Sequence, residues 1–262
     1  MKSITKRQVI TYSILLLLLV LNVSESTMVL IHDDILNLKT NSGASDQLAN
    51  WVILLYGLLL FGGFVAIAIV IALNQDDLQR LNMDKSFVVM FLISGLTGLY
   101  VLPYNCFAAV AVVFLIYALL SNKLKFETAD RSPLINILGF SLLVTSGCLL
   151  LVGSSLNIQN MSFFFVEAIP FSVYEEAVYR GMLYMLLKDL NLSESKIFFT
   201  QVFVFWISHI NYLLSDPLNF WVFIPIIGCT LGYIALRSKS ITPSAIAHIF
   251  INVLYGFISL SR

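Results

Sequence analysis

The stretch PFSVYEEAVYRGMLY, residues 170 to 184, sets two glutamates and an arginine inside an otherwise apolar run. Glu176 and Arg180 are four residues apart, so on a helix they share a stripe and can pair. Glu175 lies about 100° round the helix from Glu176 and is left without that partner. Two further apolar runs carry histidine: FVFWISHINY puts His209 four residues after Phe205, and AHIFINV puts His248 four residues before Asn252. A buried carboxylate beside an imidazole can hold and deprotonate a water. An imidazole together with an amide N–H can donate to a developing oxyanion. These groups suffice to hydrolyse an amide bond. Glu175, His209 and His248 could also ligate zinc with an open position, so the residues alone leave metal-free and zinc-dependent readings open. No G-x-S-x-G and no H-E-x-x-H occurs, so the serine-nucleophile and zinc-protease-helix motifs are absent.

Each feature has a purely structural reading on its own. Glu176 with Arg180 could be a buried brace, His209 a packing histidine, and His248 with Asn252 a hydrogen-bonded link between helices. Glu167 reads as interfacial. The structural readings weaken together, because the acidic pair and both histidines fall within the last four apolar runs, where every buried ionisable group is costly.

The elements that must position them are membrane helices. Of the 262 residues 59% are hydrophobic and 11% charged, with a mean hydropathy of +0.90. A soluble domain carries about 25% charged residues. Net charge is zero, which gives no bias toward nucleic acid. Cys106, Cys148 and Cys229 follow no metal or disulfide spacing and read as small apolar residues. Apolar stretches fall at 9–23, 51–73, 86–101, 104–120, 134–152, 162–187, 197–213, 219–236 and 243–260. This predicts an all-α, multi-pass transmembrane bundle of about eight or nine spans; Pro103 divides 86–120 and leaves one or two crossings there.

With the N-terminus in the cytoplasm, twelve of the fifteen basic residues fall in cytoplasmic segments and only Lys39 and Arg262 on the outer side. Arg180 is inside a span. The bias predicts an integral membrane protein with its C-terminus outside. The first run reads as an uncleaved anchor, with a cleaved signal peptide as the alternative. Residues 24–50 read as an outer loop, with a short amphipathic helix over 28–38 and His32 solvated. Pro133 and Pro243 suit first-turn positions. Residues 1–130 divide as anchor and variable helices, and 131–262 as the catalytic core. Glu175 and His209 lie about 18 Å from the cytoplasmic ends of their helices, and His248 and Asn252 roughly 8–14 Å in.

EEAVYR at 175–180 fits E-E-x-x-x-R, FWISH at 205–209 fits F-x-x-x-H, and HIFIN at 248–252 fits H-x-x-x-N. In this order on separate membrane helices, the set resembles the CPBP family (CAAX proteases and bacteriocin-processing enzymes, also called Abi), which includes the type II CAAX prenyl endopeptidases. The resemblance covers residues 130–260. It implies an intramembrane glutamate-dependent endopeptidase: Glu175 as general base, His209 holding the water, His248 and Asn252 stabilising the oxyanion, Glu176 and Arg180 orienting Glu175, and Phe205 packing the site. It favours no cofactor over zinc. The implied partners are membrane lipid and a peptide or prenylated-protein C-terminal substrate. A scaffold or bacteriocin self-immunity protein of the same fold is the alternative. A proton-coupled transporter is a third reading, disfavoured because no duplicated halves occur.

Overall fold

The computed structural model describes residues 5–38, 62–84, 86–91, 94 and 161–259; side chains at 31–38, 161–167 and 255–259 are not among them. The expected runs 104–120 and 134–152, most of 86–101, Cys106, Cys148, Pro133 and the side chains of His32 and Glu167 lie outside the described residues. Every described regular element is helical.

The helices are α1 (Lys6–Leu38), α2 (Gly62–Leu73), α3 (Met161–Glu175), α4 (Leu183–Asp189), α5 (Glu194–Ile207), α6 (Ile224–Ser238) and α7 (Ile241–Ser259). The stretches Lys6–Leu30 and Asn219–Ser238 are long and apolar enough to cross a membrane. Polarity is distributed as a lipid-facing protein requires. Leu16, Leu17, Phe199, Phe203 and Trp221 are exposed, while Glu176, Arg180, Gln201, Ser172 and His248 are buried.

Two helices widen into π-helical segments, Glu176–Met182 between α3 and α4 and Asn219–Phe223 leading into α6. Such segments are rare and concentrate at functional sites, and they release backbone carbonyls from the regular ladder. α5 supplies the missing donors: Gln201 Nε2 donates to the Tyr179 carbonyl at 2.7 Å and Trp206 Nε1 to the Phe220 carbonyl at 2.8 Å. α3 packs most extensively on α7, and α5 on α6. Close approach depends on two glycines. A Cβ on Gly63 would lie 2.3 Å from the Tyr174 ring, and one on Gly228 would lie 3.2 Å from the Phe205 ring.

Polar contacts gather the chain turns at one end of the bundle. Arg7 lies 3.8 Å from Asp76. Arg80 pairs with Asp189, which also accepts from Gln8 at 2.9 Å and from the Tyr12 hydroxyl. Burial pushes the Asp189 carboxyl up, but the Arg80, Tyr12 and Gln8 donors outweigh it and hold the group below the usual aspartate range. Asp84 accepts from the Phe87 amide at 2.9 Å, capping the helix that includes residues 86–91. It also accepts from Ser240 at 2.8 Å and Thr242 at 2.5 Å at the start of α7.

Two sequence expectations are corrected. Residues 24–27 continue α1 and are not a loop, and the helix expected over 28–38 is the end of α1 and not a separate element. Ser26 looked solvated, but its hydroxyl donates to the Ser208 carbonyl in the turn after α5. The run 197–213 is not one helix: α5 stops at Ile207, and His209 sits in the turn beyond it. There the Ser208 hydroxyl donates to the Phe205 carbonyl at 2.7 Å, and His209 Nδ1 lies 2.7 Å from the same oxygen. These side chains take over a carbonyl that further helix would need.

Candidate active site

Glu175 ends α3 where the helix widens, and its carboxylate is the meeting point of the site. Oε1 lies 3.6 Å from His209 Nε2 and Oε2 lies 3.3 Å from His248 Nε2. Its side chain is 18% exposed and His209 20%. Both border a cavity of about 260 Å³ that is also lined by Asn22, Glu25, Ser26, Phe171, Tyr174, Tyr179, Ser208, Asn211 and Tyr212.

Glu176 points the other way. It lies 3.1 Å from Arg180 with both side chains 0% exposed, and its Oε1 lies 3.0 Å from His248 Nδ1. Arg180 is held from further sides: its guanidinium stands 4.3 Å above the Phe205 ring and donates to the Gly228 carbonyl at 3.4 Å. Desolvating two ions costs several kcal/mol each, and the pair is tolerated because each has the other at contact distance. The Phe205 ring also packs on His209, with centroids 4.5 Å apart, and meets His248 edge-on at 5.9 Å.

The partners fix the tautomers. A carbonyl only accepts, so His209 carries a proton on Nδ1, facing Phe205, and turns its Nε2 toward Glu175. Glu176, beside Arg180, likewise accepts from His248 Nδ1. Two imidazole Nε2 atoms and a carboxylate therefore converge. Such a set is stable only around protons: water hydrogens, a doubly protonated ring, or a bound cation. A water donating to Glu175 and to His209 would keep its oxygen lone pairs free to attack.

The structure brings together Glu175, Glu176, Arg180, Phe205, His209 and His248. Asn252 stands apart: its Nδ2 donates to Ser172 Oγ at 3.0 Å, linking α7 to α3, and no described contact joins it to Glu175 or either histidine. Sequence reasoning missed the wall from α1. The Tyr174 hydroxyl donates to Asn22 Oδ1 at 3.2 Å, Asn22 Nδ2 donates to the Tyr179 hydroxyl at 3.4 Å, and Ser26 Oγ donates to the Ser208 carbonyl at 2.5 Å. The available signal was the row Asn22, Glu25, Ser26, spaced at three and four residues on a helical face. As to zinc, the donor types suit it, yet among the described residues no group of three or more His, Cys, Asp or Glu is arranged to hold a metal ion.

The helical fold with a glutamate between two histidines can be set beside known families. Residues 157–254 match the family model described as Rce1-like, type II CAAX prenyl endopeptidase Rce1-like. This segment is similar to the family that its motifs resemble, and that family is membrane-embedded and generally proteolytic. The matched segment includes Glu175, Glu176, Arg180, Phe205, His209, His248 and Asn252, and it excludes α1. No curated protein and no solved structure shows significant similarity to the chain.

Proposed function

We propose that this protein is an intramembrane glutamate-dependent endopeptidase that cleaves a peptide bond near the membrane. The observation that carries the proposal is the placement of Glu175, exposed to a cavity between two histidine Nε2 atoms, while the adjacent Glu176 is sealed against Arg180.

In this reading a water sits between Glu175 and His209. Glu175 takes one proton as the oxygen attacks the scissile carbonyl carbon. The carbonyl π electrons move to its oxygen. As the C–N bond breaks, the proton held by Glu175 passes to the leaving amine. Donation from His248 Nε2 to the oxyanion requires the doubly protonated ring, whose other N–H is already directed at Glu176. Asn252 spends one of its two Nδ2 hydrogens on Ser172, which positions α7 against α3, and the second is left to donate to the oxyanion. Glu175, His209 and His248 would be the ligands of a metal if one took part; the reading proposed here is metal-free, and no step is routed through an ion.

The multi-pass arrangement belongs to the same proposal. The turns holding Arg7, Arg80, Asp189 and Ser240 lie at one end of the bundle, where the basic residues collect, and that end is assigned to the cytoplasm. The substrate is a membrane-associated peptide, with a prenylated C-terminus as the candidate implied by the family. The test is cleavage of prenylated and unprenylated fluorogenic peptides by the full chain in detergent, with and without a chelator. Cleavage unaffected by chelator is expected. Loss with chelator would move catalysis to a metal. Absence of cleavage of every peptide, together with cellular rescue by Glu175→Ala, would favour the scaffold reading.

A further inference from the structure

The cavity contains a second carboxylate, contributed by a helix outside the family-matched segment. Glu25 on α1 lines the space with Glu175. The Ser26 hydroxyl lies 3.5 Å from Glu25, a weak contact, and the same group is committed to the Ser208 carbonyl at 2.5 Å. Among the described residues, no lysine or arginine lines the cavity. Arg180 is sealed behind the Glu176 pair with no exposed surface. The remaining wall is rich in aromatic rings: Phe171, Tyr174, Tyr179 and Tyr212. Aromatic faces attract cations and have no such affinity for anions. A confined space lined by two carboxyl groups and several aromatic side chains, with no basic side chain among its lining residues, is set to receive positive charge.

Resting on the endopeptidase reading above, we infer that the site selects substrates with a cationic group beside the scissile bond, and that Glu25 is the residue that recognises it. The group is an ammonium or guanidinium, from either a Lys or Arg side chain or a free amino terminus. A substrate whose terminal carboxylate entered this cavity would set a third carboxyl group beside Glu25 and Glu175. Recognition through α1 places selectivity on a different element from the chemistry, so the two are separable by mutation.

The experiment uses the purified full chain in detergent and a set of apolar peptides of one length. Each carries a single Lys, norleucine or Glu moved along the sequence, with the amino terminus free or acetylated. Cleavage is read as kcat/KM and binding as fluorescence anisotropy, for wild type, Glu25→Gln, Glu25→Asp and Glu25→Lys, each checked by thermal unfolding. Wild type is expected to favour the Lys peptide over the Glu peptide by about a hundredfold. Glu25→Gln should cut that ratio by about tenfold, the size of one charge-assisted hydrogen bond. Glu25→Asp should retain it, and Glu25→Lys should invert it. If acetylation alone abolishes the preference, the cation is the amino terminus; if the Lys position governs it, the side chain is recognised. An equal preference in wild type and Glu25→Gln overturns the inference even if cleavage is robust. Charge-selective binding that depends on Glu25 but comes without cleavage supports the cation site and overturns the endopeptidase reading. Neither cleavage nor charge-selective binding overturns both.

Discussion

Glu175 and Glu176 are consecutive residues on one helix, and their surroundings differ in almost every respect. Glu176 has no exposed surface and faces Arg180 and the Nδ1 of His248. Glu175 keeps 18% of its surface and faces two Nε2 atoms and a cavity. An embedded charge is costly wherever it sits. The chain meets that cost in two ways: a fixed cation for the brace, and an open cavity beside Glu175. The brace does not border that cavity. Glu175 has no fixed cation to hold it in one state. His248 joins the two halves, since its two ring nitrogens lie 3.0 Å from Glu176 and 3.3 Å from Glu175.

This contrast can be broken most severely from the braced side. Glu176→Gln leaves the Arg180 guanidinium buried without its counter-ion, and thermal or denaturant unfolding should show a loss of about 3–5 kcal/mol. Adding Arg180→Met removes the stranded charge, so the double variant should recover more than half of that loss. A double variant no more stable than the single one would show that the pair is not what burial of Glu176 depends on.

A smaller effect is expected where α5 supports the widened turn. Gln201→Leu strands the Tyr179 carbonyl inside the bundle, a loss of about 1–3 kcal/mol by unfolding. Gly63→Ala belongs to the same size class, because the new methyl group must displace the Tyr174 ring from the cavity wall. Its expected signature is a lowered unfolding temperature together with weaker peptide binding.

The smallest effect lies at the bundle end, where water screens the charges. Asp189→Asn should cost about 1 kcal/mol. Its carboxyl is held below the usual range in the folded protein, so its contribution is present above that range and disappears as the pH falls through the depressed folded value. The stability difference between wild type and Asp189→Asn should therefore narrow in acid. A difference that is constant between neutral and acidic pH would contradict the assignment.

The braced pair was legible in the sequence because i,i+4 spacing on a helix is a local rule, and the structure places Glu176 against Arg180. The separation of Glu175 from that pair followed from the same geometry. The histidines were legible as chemistry, but the end of α5 before His209 was not. Hydropathy continues through residues 208–213, and only the capture of the Phe205 carbonyl by Ser208 and His209 ends the helix. The π-helical widening left no composition signal either, since it is maintained by side-chain donors from a helix about 20 residues away in sequence. The α1 wall was misread for a related reason. Glu25 and Ser26 follow an apolar run that ends with Asn22 and look like the start of a polar loop, and only the tertiary partners of Asn22 and Ser26, which are Tyr174, Tyr179 and Ser208, show why a helix carries this row inward. Asn252, grouped with the oxyanion donors by its motif, also bonds to Ser172, a contact that one helix's spacing does not reveal.

The most direct test of the central claim, that Glu175 is held for chemistry and not for structure, is Glu175→Gln measured in two ways on one preparation. The substrate is a peptide that wild type cleaves. The account predicts that hydrolysis falls by about 10²–10⁴-fold, while the unfolding temperature stays within about 2 °C of wild type. Hydrolysis that persists at the wild-type rate, or a variant that unfolds as readily as Glu176→Gln, would contradict it.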